Sequence, residues 1–147
     1  MLASIRPDSW NFPLLLHVLG ATVLVGAVAA GALAHLTANR FEEAAYVRKI
    51  ASRTLLLGAF PAFIVMRVGG EWLRSKEFGD ASDEPTWLGI GYGIADIGGL
   101  VLLVALILSG VATRRSKPGL STAAGILAAI TLVGWLVAIW AMGAKPT

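Results

Sequence analysis

The stretch Phe12–Leu36, FPLLLHVLGATVLVGAVAAGALAHL, contains no Asp, Glu, Lys or Arg in 25 residues, yet it holds His17 and His35, the chain's two histidines. At about 1.5 Å per residue it is long enough to cross roughly 30 Å of hydrocarbon as a helix. Asn11 and Pro13 supply a start signal in the cap and first turn. The small residues at Ala32–Ala34 resemble a signal-peptide cleavage site. Against cleavage, the apolar run is longer than the ~7–15 residues of a signal core, and Arg6 is offset by Asp8. The stretch is therefore read as a retained helix.

Three further apolar blocks follow, at about 54–73, 87–112 and 120–142. Together they predict an all-α fold: one integral membrane domain of 147 residues forming a four-helix bundle. The composition, 56% hydrophobic and 14% charged, with a mean hydropathy of +0.75, excludes an ordinary soluble domain. A net charge of +3 is too small to imply nucleic acid; the expected surroundings are a lipid bilayer, with a second copy or a membrane complex as partner. The absence of cysteine removes disulfides, thiolate metal sites and covalent c-type haem.

The connections carry the topology. Residues 37–53 contain Arg40, Arg48, Lys49 and Arg53, and residues 113–119 contain Arg114, Arg115 and Lys117. Residues 74–86 hold Arg74 and Lys76 among Glu77, Asp80, Asp83 and Glu84. The positive-inside rule places the first and third connections in the cytoplasm and both termini outside. Trp10, Trp72, Trp87 and Trp140 fall at the ends assigned to the outer face, as interfacial aromatics do. FEEAAYVRKI (41–50) is amphipathic, and is expected either to extend the first helix or to lie on the cytoplasmic interface.

Ionisable residues inside the spans are the candidate site. Counted along their helices, His17, Arg67 and Asp96 share a depth in the outer half, and Glu71 lies one turn from Arg67. One reading makes Arg67–Asp96 a bridge that staples two helices. Another makes Arg67 the partner of an anionic group on a cofactor or substrate, oriented by Asp96 and Glu71; a third lets the side chains snorkel to water. The two histidines are five turns apart, so they share a helix face but lie roughly 27 Å apart and cannot hold one ion. His17, beside Gly20, is a candidate haem or copper ligand. His35, near Arg40 and Glu42, is expected at the interface and is only a remote second ligand candidate. Met66 and Met142 could add thioethers for copper.

No HExxH, GxSxG or Walker pattern is present, and Ser52, Ser109 and Ser116 have no base nearby in sequence. Transport or proton relay is disfavoured because only Thr54, Ser109 and Thr131 are polar in the inner half of the last three spans. An enzyme is the minority expectation.

LLLHVLGATVLVGAVAAGAL (14–33) and the ending Trp140-Ala-Met142-Gly-Ala-Lys145-Pro146 resemble a family of small bacterial four-helix integral membrane proteins of unknown function. The first-helix His is also similar to that of copper-resistance D-type membrane domains and of the haem-binding membrane protoporphyrinogen oxidase. The resemblance implies a bacterial inner-membrane location and a haem b or copper ligand at His17. It does not imply oxidase activity. That family's SWFAGLFYLPRLFVYH continuation is absent, and of it Thr22–Gly26 retains only the glycine. The functional expectation is a haem b-binding or redox-associated membrane module. The alternatives are a non-enzymatic accessory or assembly subunit and, lower, a copper-binding or transport protein.

Overall fold

The computed structural model describes residues 7–79 and 85–144. Asp80, Asp83 and Glu84 of the second connection and the closing Lys145-Pro146 lie outside the described residues. The described residues are helical with no strand, and four helices are long and apolar enough to cross a membrane. They are α1 (Asn11–Thr37), α2 (Ala44–Glu77), α3 (Thr86–Arg114) and α4 (Pro118–Ala144). A 3-10 turn, Asp8–Trp10, leads into α1.

The second helix differs from expectation. Phe41–Ile50 neither extends α1 nor stands apart: from Ala44 onward it is the first part of α2. Its apolar side is used inside the bundle, where Ala51 is buried and Arg48, also buried, donates to Asn39 Oδ1 at 3.0 Å. Between α-helical Ala44–Arg53 and Phe60–Glu77 lies a π-helical stretch, Thr54–Ala59. Pro61 explains it. Its ring lacks an N–H and crowds the carbonyl one turn earlier, and a widened turn relieves that conflict without breaking the helix.

Between α3 and α4 the chain reverses in three residues. Ser116 takes a left-handed φ of 50° and Pro118 opens the next helix, a residue order that stops one helix and starts another.

The helices run up, down, up, down. His17 meets α2 near Gly69 and Gly70 and Gly31 meets Leu55, while Gly98 meets Trp135 and Gly91 meets Met142. The core is built from Leu24, Val28, Leu55, Leu102 and Trp135, with alanines filling the narrow spaces. Glycine sets the α1–α2 distance: a Cβ on Gly20 would lie 2.5 Å from the Met66 backbone nitrogen. Packing, rather than a hydrophobic difference, holds helices together in lipid. Gly20→Leu is therefore expected to force α1 and α2 apart and lower the thermal midpoint by several degrees; an unchanged midpoint would contradict this contact.

α1 packs along both α2 and α4, and α3 packs along α4. The Ala44–Arg53 part of α2 also packs on α3, but Phe60–Glu77 diverges from it. That divergence leaves a cleft between α2 and α3 at the end of the bundle where α1 begins and α4 finishes.

Candidate functional site

His17 faces this cleft from α1. Its Nδ1 lies 2.9 Å from the Met66 carbonyl oxygen. A carbonyl only accepts, so Nδ1 is the donor, and in the neutral form of the ring Nε2 keeps the lone pair. Gly70 makes room for the ring, since a Cβ there would sit 2.9 Å from Nδ1. A fixed tautomer with the distant nitrogen unprotonated is what a metal-ligating imidazole needs.

The cleft, about 90 Å³, is lined by His17, Met66, Arg67, Gly70, Tyr92 and Met142 among others. Behind it lies a smaller cavity of about 50 Å³, bounded by His17, Ala21, Leu24, Met66, Trp135 and Met142. On the far side a groove of about 490 Å³ opens between α1 and α4 along Val18, Ala21, Thr22 and Ile139. His17 and Met142 stand on the walls of all three, and all three are largely apolar. Trp135 Nε1 is buried with no hydrogen-bond partner among the described residues.

At the mouth of the cleft, Arg67 gathers the charges. Its Nη2 lies 2.7 Å from Asp96 Oδ1 and its Nη1 3.1 Å from Glu71 Oε1. The guanidinium carbon stands 4.6 Å from the centre of the Tyr92 ring, a cation–π contact. The structure thus brings Arg67, Asp96 and Glu71 together and places His17 on the same cleft as Arg67. Asp96 and Glu71 do not line the cleft itself. Their side chains are 59% and 48% exposed.

His35 is not at an interface. It is fully buried, and its two ring nitrogens meet Ser121 Oγ at 2.9 Å and Ser109 Oγ at 2.7 Å. Arg40 and Glu42 are its neighbours in sequence, but His35 continues the buried stripe of Leu24, Val28 and Gly31 into the bundle. With both nitrogens engaged by hydroxyls, it does not serve as a ligand in this arrangement. Ser109, without a base nearby in sequence, therefore has one in space. The same cluster gives that end of the bundle more buried polarity than the chain order indicates, with Thr113 donating to the Ser109 carbonyl at 2.9 Å.

The donor set is of the kind haem b takes: an imidazole held through Nδ1, a guanidinium at the mouth, and an indole N–H without a partner among the described residues beside the deeper cavity. The cleft and the smaller cavity are small for a macrocycle; the groove falls within the roughly 300–1,000 Å³ of cofactor sites, and of these donors it is lined by His17 alone. For copper, no cluster of three or more His, Cys, Asp or Glu exists among the described residues. An ion would have to be held by His17 and the thioethers of Met66 and Met142. Sequence reading missed Tyr92, Trp135 and the Met66 carbonyl; Trp135 had a signal, since it recurs on the buried face of α4 with Ala128, Thr131 and Ala138. No protein-family profile, curated protein or solved structure matches the chain.

Proposed function

We propose that this chain is a multi-pass membrane protein of the bacterial inner membrane, with both termini outside. In this reading it is a haem b-binding or redox-associated module. The observation that carries the cofactor reading is the His17 Nδ1–Met66 carbonyl hydrogen bond, made by a side chain that borders all three spaces. His17 would hold the haem iron through Nε2 and Arg67 would pair with a propionate, with Asp96 and Glu71 holding the guanidinium. Haem, when bound, supplies one-electron chemistry. The chain's own contribution is to fix the imidazole, exclude water with apolar walls and hold a compensated charge at the mouth. Placement in the bilayer is supported by the four long apolar helices and the basic connections at one end. Aromatic residues gather at the other, where Phe12 and Trp72 rings meet at 5.8 Å.

A second reading, the non-enzymatic accessory subunit, is favoured by the closed geometry of the Arg67 ion pairs. A lone charge at mid-span costs about 2.5–3.5 kcal/mol on insertion scales. Arg67→Leu is accordingly expected to destabilise the bundle by about that amount, and Arg67→Leu/Asp96→Leu to recover most of it. The comparison is read from thermal midpoints in mild detergent. If the paired variant folds normally but loses haem, the cluster belongs to the site; if it folds and keeps haem, the cluster is a staple.

Transport fits least well. Leu24, Val28, Leu55 and Leu102 are almost completely buried between the His17 level and the His35 cluster, and so form an apolar barrier between the two polar regions.

A further inference from the structure

Arg48 is a buried cation without a counter-charge. It is 7% exposed, on the first part of α2. Asn39 Oδ1, just beyond α1, accepts from its Nη1 at 3.0 Å, and Thr113 of α3 donates to its backbone carbonyl at 3.4 Å. No ion pair joins Arg48 to a described carboxylate; the ion pairs of the described residues are those of Arg67 at the other end. Glu42 and Glu43, the nearest acids in the chain, are exposed and pair with no described cation. Nε and Nη2 of Arg48 also meet no described acceptor. They are not sealed in, since the enclosed side-chain atoms without a partner are the Tyr92 hydroxyl and Trp135 Nε1. The other cations of this end, Arg40, Lys49, Arg53, Arg114, Arg115 and Lys117, are exposed, so water satisfies them. Burial denies Arg48 that remedy, and a buried charge needs a partner.

We propose that Arg48 holds the phosphate of an anionic phospholipid headgroup, in a niche where α1, α2 and α3 meet at the basic end. The proposal rests on the membrane placement proposed above, and not on haem. Nε and Nη2 form one edge of the planar guanidinium, a fork that matches two phosphate oxygens. Asn39 tethers the remaining nitrogen and so fixes the direction of that edge. Arg40 and Arg114 directly follow Asn39 and Thr113, which adds positive potential at the rim without a neutralising acid. The surroundings favour a lipid over a free anion. The same segment exposes Phe41, Tyr46 and Ile50, and apolar surface beside cations is the pattern of a helix at headgroup level. Basic pockets between spanning helices are where anionic headgroups bind on the cytoplasmic side.

The test uses the full chain in dodecyl maltoside, titrated with phosphatidylglycerol, phosphatidylcholine or inorganic phosphate. Sodium chloride at about 0.5 M shortens the screening length to roughly 4 Å, which suppresses diffuse attraction to the exposed cations. Phosphatidylglycerol is expected to raise the thermal midpoint saturably, and phosphatidylcholine to raise it far less. Arg48→Gln should weaken the apparent affinity about ten-fold or more. Lys117→Gln, the same change of charge at an exposed position, should leave it unaltered. Arg48→Lys keeps the charge but not the fork and should weaken binding several-fold; it reads the niche even where the glutamine variant does not fold. Equal effects of the two lipids, equal losses from Arg48→Gln and Lys117→Gln, or an Arg48→Lys variant as tight as the unmodified chain overturns the proposal. Inorganic phosphate that protects as well as phosphatidylglycerol also overturns it, making the ligand a free anion. Membrane placement is read separately, by carbonate-resistant sedimentation with vesicles: a chain that carbonate strips off fails that reading whatever it binds in detergent.

Discussion

Purified in mild detergent and supplied with haemin, the chain is expected to develop a Soret band, and His17→Ala to abolish it completely. The effect should be all or none because the described residues offer no second imidazole at that level. His35 is fully buried and engaged with Ser109 and Ser121 at the other end of the same helix. The Met66 carbonyl fixes the tautomer of His17, so the loss removes a preset ligand rather than one of several. Gly70→Leu is the discriminating companion. It keeps the imidazole but crowds Nδ1, where even a Cβ would stand 2.9 Å away, and it should lower affinity without eliminating the band. A preparation that stays colourless with haemin, or a His17→Ala variant with an unaltered spectrum, removes haem from the proposed function. Metal analysis then decides whether His17, Met66 and Met142 hold copper.

His35→Ala should give the largest loss of stability, about 2–5 kcal/mol. The side chain is fully buried, so its removal leaves a cavity of the kind that costs that much in tightly packed cores. The two hydrogen bonds are a smaller part. Interhelical polar bonds in membranes average about 0.6 kcal/mol each, because the separated helices also find partners. The cavity should therefore dominate. His35→Leu combined with Ser109→Ala and Ser121→Ala, which fills the space and removes the orphaned hydroxyls, should recover most of the loss. The measurement is the thermal midpoint followed by helicity. If His35→Ala melts with the unmodified chain, the buried cluster contributes nothing to stability.

Helix number and approximate spans are legible in the sequence because lipid-length apolar runs have few alternatives. The structure lengthens them most in α2. There the amphipathic Phe41–Ile50 carries enough charge to look like a loop, and only contact with α1 and α3 shows that its apolar side is used. Arg67, Asp96 and Glu71 are equally legible as a group, since ionisable residues inside apolar runs must find one another. His35 looks interfacial in the sequence because Arg40 and Glu42 are close to it there, whereas Ser109 and Ser121 are 74 and 86 residues away. The spacing of Leu24, Val28, Gly31 and His35 already points inward. The Met66 carbonyl that fixes His17 could not be read from sequence at all: a backbone acceptor becomes available to another helix only when glycines bring the two backbones together.

The widened turn at Thr54–Ala59 has a consequence for the distant cleft. A π turn holds one residue more than an α turn, which advances everything after it by about 100° around the helix axis. The buried positions of α2 continue through the turn: Arg48, Ala51, Leu55, Ala59, Ala62, Met66 and Gly69. One surplus residue near the basic end therefore acts as a phase shifter for the other end. Without it, the heading that puts Met66 against His17 and Arg67 towards Asp96 would be lost. The orientation of the candidate site is set some two turns away from any residue that touches it.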